Sequence, residues 1–282
     1  MTLLYIILAT AAGGLLSVGV AATLTVAVLA RLVRSLVSLS AGVLLGTALL
    51  HVLPEAFEKA MAGHGHGHGA AGAAAGTAAG LAPTAAGLFA TLLGGLLFFW
   101  LLEKVELYRH AHHHQGDGHE HHHHFDAQQA GRGGLAVLVG DGVHNFCDGV
   151  IIAAAFLTDP ALGIVTALAV SMHEIPQEVG DFIVLQNAGF SRSRALMFNL
   201  LSGAAAVVGG VVGYFLVGPF EDLLPYLLVA ASSSFVYVAV ADLLPQLQQR
   251  LSGRETAIQL AWLLGGLALV TLARELLHLG GH

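Results

Sequence analysis

The chain has 282 residues, of which 56% are hydrophobic and only 10% are charged, and its mean hydropathy is +0.75. A bilayer span needs about 20 mostly apolar residues, so this composition indicates a membrane protein and excludes a separate soluble catalytic domain. The net charge of −7 comes with no basic run that could follow a phosphate backbone, which excludes a nucleic-acid partner.

The cysteine and histidine counts narrow the chemistry. The single cysteine, Cys147, excludes a disulfide framework and a multi-cysteine zinc module. Seventeen histidines stand in a chain that is otherwise dominated by Ala, Leu, Gly and Val. Because imidazole is the commonest protein ligand for metals, transition-metal binding is the first hypothesis to test.

Long apolar runs separated by polar or Gly/Pro-rich joints predict eight transmembrane helices. The predicted spans cover residues 3–30, 37–57, 81–107, 134–157, 160–187, 193–217, 223–247 and 256–277. The first run is too long for a removed signal peptide and lacks its basic start and small-residue cleavage pattern, so we expect it to be a span. The predicted fold is an all-α membrane protein made of one polytopic domain, residues 1–282.

The Lys and Arg residues predict the orientation of the chain. Nine of the eleven lie in the joints that follow spans one, three, five and seven, and only Lys59 and Arg274 fall on the other side. Because short cytoplasmic loops collect basic residues, we expect these joints to be cytoplasmic and both termini extracytoplasmic. Residues 58–80 then form an outer His/Gly/Ala-rich loop, and residues 108–133 form a cytoplasmic His-rich loop.

Two tracts of biased composition lie in these loops. The words GHGHGHG (63–69) and HAHHHQGDGHEHHHH (110–124) hold twelve of the seventeen histidines. Such tracts cannot bury a core and should be disordered without a ligand. They are either loose metal-collecting segments or polar linkers, and we favour metal collection because neither tract is terminal.

Spans two and seven end in similar words, LLHVLPEAFE (49–58) and AVADLLPQLQ (239–248). In each word a polar residue, His51 or Asp242, stands three residues before a proline. With the orientation above, these spans run in opposite directions, as in an inverted-topology repeat that pairs the first four spans with the last four. Such a repeat would place a substrate site between spans four and five, near the midplane of the bilayer.

Spans four and five carry ionisable residues, which are costly in a bilayer and usually face a partner, a cavity or a metal. His144 and Asp148 are four residues apart and share a helical face, as do His173 and Gln177. Two antiparallel helices of this kind can close a four-ligand site around a divalent ion. Imidazole with carboxylate or amide oxygen suits Zn²⁺, and also Fe²⁺, Mn²⁺ or Cd²⁺.

Further polar residues surround these four. Asn145, Glu174 and Glu178 could build a second, adjacent metal site or accept protons. Pro176 removes a helix hydrogen bond and frees the carbonyl of Met172, which can line a polar cavity or a kink. The alternative is a packed polar cluster that only holds helices together, but seven polar residues in adjacent spans beside a His-rich loop favour a metal site.

Several other polar positions have less certain roles. His51, with Glu55 one turn on, is either an outer metal ligand or an interfacial histidine, and Asp181 continues the stripe of Glu174 and Glu178. Three residues of spans six and seven either join helices by hydrogen bonds or line a pathway: Asn199, Ser202 and Asp242. Two acids are expected near span ends and are given no role in the site: Asp141 and Asp159.

Two motifs carry a family resemblance. HNFCDG (144–149) resembles the fourth-helix motif of the ZIP family of divalent-metal transporters, and HEIPQEVGDF (173–182) resembles the fifth-helix motif of the branch with a HEIPxE word. The eight spans, the outward termini and the His-rich cytoplasmic loop after span three agree, so the resemblance covers essentially the whole chain. It implies a transporter of the cell membrane, with Zn²⁺ as substrate, and neither an enzyme nor a protein with an organic cofactor.

The resemblance also implies a mechanism. Metal would move toward the cytoplasm through a binuclear site, in which one ion is held by His144, Asp148, His173 and Gln177. The residues implied for the second ion are Asn145, Glu174 and Glu178. Spans one, four, five and six would move as an elevator against the other spans of a homodimer. Close members often have histidine at the position of Gln177, and some have an acid in span six, which here is absent from NLLSGAAAVVGG (199–210).

Three other classes of protein agree less well with the sequence. An exporter of the cation-diffusion-facilitator type has six spans and a soluble C-terminal domain, for which we expect no room after span eight. An intramembrane metalloprotease needs H-E-x-x-H, and HEIPQ (173–177) has glutamine at the last position. A membrane-bound metal buffer would need only the loop tracts and would leave the polar residues of spans four and five unexplained.

Overall fold

The structure of the chain, a computed structural model, describes residues 1–23, 26–65, 84–111, 127–187, 189–217, 219, 223–248 and 252–280. All regular secondary structure within these residues is helical. The helices are α1 (Thr2–Thr23), α2 (Val26–Gly46), α3 (Leu53–Gly65), α4 (Ala85–Ala111), α5 (Ala127–Thr158), α6 (Pro160–Asn187), α7 (Arg192–Val217), α8 (Leu224–Tyr237), α9 (Leu244–Leu247) and α10 (Gly253–Gly280). Most of both histidine tracts lies outside the described residues.

Two π-helical turns interrupt long helices. The turn π1 (Thr47–Val52) joins α2 to α3, and the turn π2 (Val238–Leu243) joins α8 to α9. In each, the amide of the residue before a proline donates to a carbonyl five residues back, from Leu53 to Ala48 and from Leu244 to Ala239. The two similar words of spans two and seven therefore share a backbone feature that is rare in helices.

Six helical segments are long and apolar enough to cross a bilayer, which confirms the prediction of an all-α membrane protein. They are Thr2–Thr23, Ser35–Met61, Ala85–Leu102, Arg192–Val217, Leu224–Leu247 and Gly253–Leu277. These segments correspond to six of the eight predicted spans. In the part of the chain that the structure describes, α5 and α6 do not meet this criterion, and they are the helices that carry the candidate metal ligands.

The helices on either side of the predicted cytoplasmic loop are longer than the predicted spans. α4 continues to Ala111 and α5 begins at Ala127, so the connection between them is shorter than the predicted loop 108–133. Likewise α3 continues to Gly65, inside the predicted outer loop 58–80. The hydropathy pattern marks where apolar residues end, but helices continue beyond that point because polar residues such as Gln and Glu are good helix formers.

Glycines let the backbones of two helix pairs approach closely. A Cβ atom on Gly149 of α5 would collide with the carbonyl oxygen of Ala206 in α7, and one on Gly209 would collide with that of Phe146. α5 and α7 also pack more extensively than any other two described helices. The same kind of contact joins α2 to α10, where a Cβ on Gly42 would collide with the carbonyl oxygen of Leu263. Side chains here would force the helices apart.

The helix contacts come in matched pairs. α10 packs on α2 as α4 packs on α8, and α1 packs on α6 as α7 packs on α5. In these matched contacts α2 takes the place that α8 has in the other half, and both helices lead into π turns. In the same way α5 corresponds to α6. The pattern supports the predicted internal repeat and places α5 and α6 together at its centre.

Candidate metal centre

Four side chains from α5 and α6 converge on one point in the interior. His144 and Asp148 come from α5, His173 and Glu174 come from α6, and one ligand atom of each lies within 4.8 Å of all the others. The spacing of four residues in α5 places its two groups on one face, as predicted. The two α6 groups are adjacent in sequence, so they reach the same point from neighbouring faces of the helix.

The distances between these atoms suit a divalent ion. His173 Nε2 lies 3.2 Å from His144 Nε2, 3.1 Å from Asp148 Oδ2 and 3.2 Å from Glu174 Oε1. His144 Nε2 lies 3.6 Å from Asp148 Oδ2. Ligand atoms held tetrahedrally at the usual zinc distances are about 3.3–3.6 Å apart. The cluster therefore has the size of a first coordination shell.

Burial raises the free energy of the ionised carboxylates in this cluster when no cation is bound. Asp148, His173 and Glu174 are each no more than 3% exposed, while His144 is half-buried. Among the described residues, neither the carboxylate of Asp148 nor that of Glu174 accepts a hydrogen bond of good geometry. Buried charges need a partner, and a divalent ion would neutralise both carboxylates at once.

One contact of His173 is compatible with metal binding through its Nε2. Its Nδ1 lies 3.4 Å from the carbonyl oxygen of Ala169, one turn earlier in α6. A proton on Nδ1 that points at this carbonyl leaves the lone pair of Nε2 on the side of the cluster. Metal-bound histidines are commonly oriented by such a contact on their second nitrogen.

The proline of α6 lies close to two residues of this cluster. Pro176 has no N–H, so it cannot donate to the carbonyl of Met172, which immediately precedes His173 and Glu174. The sequence predicts a freed carbonyl that lines a cavity or a kink. Instead, the buried hydroxyl of Ser40 in α2 donates to this oxygen at 2.5 Å. Ser40 was not predicted, because no local pattern relates it to Pro176.

A second polar group surrounds Asp141. Gln177 Nε2 donates to Asp141 Oδ1 at 2.7 Å, and the hydroxyl of Ser202 in α7 donates to Asp141 Oδ2. Asn145 Nδ2 donates to the Asp141 carbonyl at 3.1 Å and lies 3.3 Å from Ser202 Oγ. Gln177 is therefore hydrogen-bonded to Asp141 and is not one of the four cluster residues. Glu174 occupies the place in the cluster that the sequence predicts for Gln177.

The sequence predicts Asp141 near a span end, and the structure contradicts this position. Asp141 is only 7% exposed and lies in the middle of α5, which begins seven residues before the predicted span. Its spacing from His144, Asn145 and Asp148 places it on their helical face, a signal that could have identified it. Asp159 does lie at a helix end, where its Oδ1 accepts the Leu162 amide at 2.9 Å and caps α6.

The other predicted residues of α6 and α7 lie near but outside the cluster. Glu178 is fully buried, and its carboxylate accepts no hydrogen bond among the described residues. Asn199 Nδ2 donates to the Glu178 carbonyl at 2.6 Å, which joins α7 to α6. Asp181 is half-buried one turn further along α6.

The predicted outer residues contact a different helix. His51 Nδ1 lies 3.0 Å from the guanidinium of Arg274 in α10, and Glu55 lies 3.5 Å from it. A pocket of about 520 Å³ beside them is lined by Leu50, His51, Thr271, Arg274 and Glu275. The structure does not bring this group to the cluster of α5 and α6. The side chain of Asp242 lies outside the described residues.

The chain is thus a helical membrane protein with a buried His/Asp/Glu cluster, which is typical of proteins that bind divalent metals within the bilayer. A family model for the ZIP zinc transporters matches residues 104–274, more than half of the chain. The chain belongs to this family. The predicted membership of the ZIP family is therefore confirmed, and it favours a transporter over an exporter of the cation-diffusion-facilitator type and over a metalloprotease.

Named relatives agree with this assignment. The chain is 36% identical over 137 residues to zinc transporter foi of Drosophila melanogaster, which covers 48% of this chain and 19% of that protein. It is 38% identical over 124 residues to zinc transporter ZIP10 of Homo sapiens, covering 43% and 15%. It is 44% identical over 109 residues to zinc transporter ZIP4 of Mus musculus, covering 39% and 16%. The matched regions span less than a fifth of these relatives.

Proposed function

We propose that the chain transports divalent transition-metal ions, Zn²⁺ above all, across the cell membrane toward the cytoplasm. The observation that carries this proposal is the buried cluster of His144, Asp148, His173 and Glu174, whose atoms have the spacing of a metal coordination shell. Membership of the ZIP family supports it. Two carboxylates match the charge of a divalent ion, and two neutral imidazoles add the nitrogen ligands that favour zinc over magnesium or calcium.

A second ion would bind beside the first. The groups available for it are the amide oxygens of Asn145 and Gln177 and the carboxylate of Glu178. Glu174 belongs to the first set, lies one turn before Gln177 and Glu178 in α6, and could bridge the two ions with its second oxygen. An ion leaving the first site would meet these oxygen ligands next, and ligand exchange of this kind lets a tightly coordinated ion move on.

The proposed topology has eight spans, with α5 and α6 as spans four and five and both termini outside. α1, α5, α6 and α7 pack on one another and would move together against α2, α4, α8 and α10. α4 and α10 present long apolar exposed faces, which suit lipid or the partner in a homodimer. Fe²⁺, Mn²⁺ and Cd²⁺ would compete with Zn²⁺, since the ligand types do not exclude them.

The test is ⁶⁵Zn²⁺ flux into proteoliposomes, with unlabelled Fe²⁺, Mn²⁺ and Cd²⁺ as competitors. We expect flux in the wild type and none in a His144→Ala/His173→Ala variant. The matched control is His278→Ala/His282→Ala, which removes two histidines that are not among the four cluster residues and should keep wild-type flux. Correctly folded wild type that carries no flux under either gradient direction would overturn the proposed function. Equal flux in both variants would show that the transported ion does not pass through the cluster.

A further inference from the structure

Asp141 receives hydrogen bonds from three helical positions around the candidate site. Its carboxylate accepts Gln177 Nε2 of α6 at 2.7 Å on one oxygen and the Ser202 hydroxyl of α7 on the other. Its backbone carbonyl accepts Asn145 Nδ2 at 3.1 Å, and Ser202 Oγ lies 3.3 Å from that same nitrogen. Asp141 is therefore the hub that joins both amide side chains of the site.

A carboxylate in this position determines which end of an amide it faces. An ionised carboxylate only accepts hydrogen bonds, whereas an amide has a donor nitrogen and an acceptor oxygen. Gln177 must therefore turn its nitrogen to Asp141. The Ser202 hydroxyl donates its proton to Asp141, so only its lone pairs are available to Asn145. Asn145 must therefore also turn its nitrogen toward Ser202. In both side chains the oxygen is left as the amide atom available to a cation.

We propose that Asp141 is a positioning residue that orients Asn145 and Gln177 so that their amide oxygens, and not their nitrogens, face the transported metal. This inference rests on the proposed function and deepens it. Amides ligate metals through oxygen, and an NH₂ group turned toward a cation would repel it. Asp141 itself stays outside the coordination shell and acts through the two amides, as outer carboxylates do for metal-bound histidines.

The first experiment compares Co²⁺ binding to the purified, detergent-solubilised full chain by calorimetry and by its visible absorption spectrum. We expect Asp141→Leu to raise the Kd by about 10–100-fold, the range typical of outer-shell partners, and to change the Co²⁺ spectrum as the amide oxygen of Gln177 leaves the shell. The matched control Glu58→Leu removes an exposed carboxylate and should leave both readouts unchanged. Unchanged affinity and spectrum in Asp141→Leu would overturn the inference.

A double-mutant cycle separates positioning from direct ligation. If Asp141 acts through Gln177, the double variant Asp141→Leu/Gln177→Ala should bind Co²⁺ within about twofold of Asp141→Leu alone. If Asp141 were itself a ligand, the effects of the two substitutions on Kd would multiply, and the inference would be wrong. Should Asp141→Leu fail to give a monodisperse protein, Asp141→Asn replaces it in the same cycle, because its single acceptor oxygen serves only one of the two donors.

Failure of the proposed function has a different signature. Wild type that binds no Co²⁺ and carries no ⁶⁵Zn²⁺ flux would overturn the transport proposal, and this inference with it. Wild type that binds and transports normally, beside an Asp141→Leu variant with the same Kd and spectrum, would overturn the positioning role alone.

Discussion

Replacing Ser40 with alanine would test how α6 is held where Pro176 interrupts its hydrogen bonds. The Ser40 hydroxyl is buried and donates at 2.5 Å to the Met172 carbonyl, which Pro176 cannot serve. Removing the hydroxyl leaves a carbonyl inside the protein without this donor. Because two residues of the cluster directly follow Met172, we expect α6 to lose both stability and its alignment with α5.

The magnitude follows from the burial of both groups. A buried polar group that loses its partner costs about 1–3 kcal/mol, and a position inside the membrane favours the upper half of that range because water cannot replace the donor. Ser40→Ala should therefore lower the free energy of unfolding by about 2–3 kcal/mol. The exposed Ser193→Ala is the matched control and should change it by less than about 0.5 kcal/mol.

The assay is reversible unfolding in mixed micelles titrated with sodium dodecyl sulfate, and the decisive comparison uses Pro176→Ala. An alanine at 176 restores the N–H that can serve Met172, so Ser40→Ala should cost little in that background. A coupling of at least about 1 kcal/mol is expected between the two positions. Equal destabilisation by Ser40→Ala with and without Pro176 would refute the reasoning.

Three further predictions concern the proposed transport. Uptake of Zn²⁺ should fall as pH drops from 8 to 5.5, because protons compete with the metal for the imidazole and carboxylate ligands, and flat uptake would contradict this. Deleting 110–124 should lower apparent affinity in flux assays, whereas complete loss of flux in a folded protein would place the tract on the essential path. Gly149→Ala should lower the free energy of unfolding by about 1–3 kcal/mol, because the added Cβ separates α5 from α7. Gly142→Ala is the control and should not lower it, because its Cβ would meet nothing within 4 Å. Equal effects of the two substitutions would argue against the close packing.

The sequence was sufficient for the parts of the site that depend on one helix. The spacing of His144 and Asp148 placed both on one face of α5, and the words around them identified the family. The choice between Glu174 and Gln177 in the cluster was not predictable, because it depends on how α6 is rotated against α5. That rotation depends on contacts such as Ser40 with Met172, which are 132 residues apart.

Other features could be predicted in position but not in form. The similar words that contain His51 and Asp242 indicated equivalent segments, and both words overlap π turns. Nothing in either word specifies a hydrogen bond over five residues, since prolines after α-helical turns are also common. The partner of His51, Arg274, lies 223 residues away, so only the packing of α10 on α2 reveals it.

The close connection between α5 and α6 bears on how the protein is made. Asp159 alone separates the two helices, and its carboxylate caps the second. Each charged residue at mid-membrane costs about 2.5–3.5 kcal/mol at the translocon, so we expect neither helix to enter the lipid by itself. They would leave the translocon as a hairpin, with their polar faces turned to each other. Metal starvation during synthesis should then lower the yield of inserted protein. The bound ion would neutralise the carboxylates of the hairpin before the last helices leave the translocon.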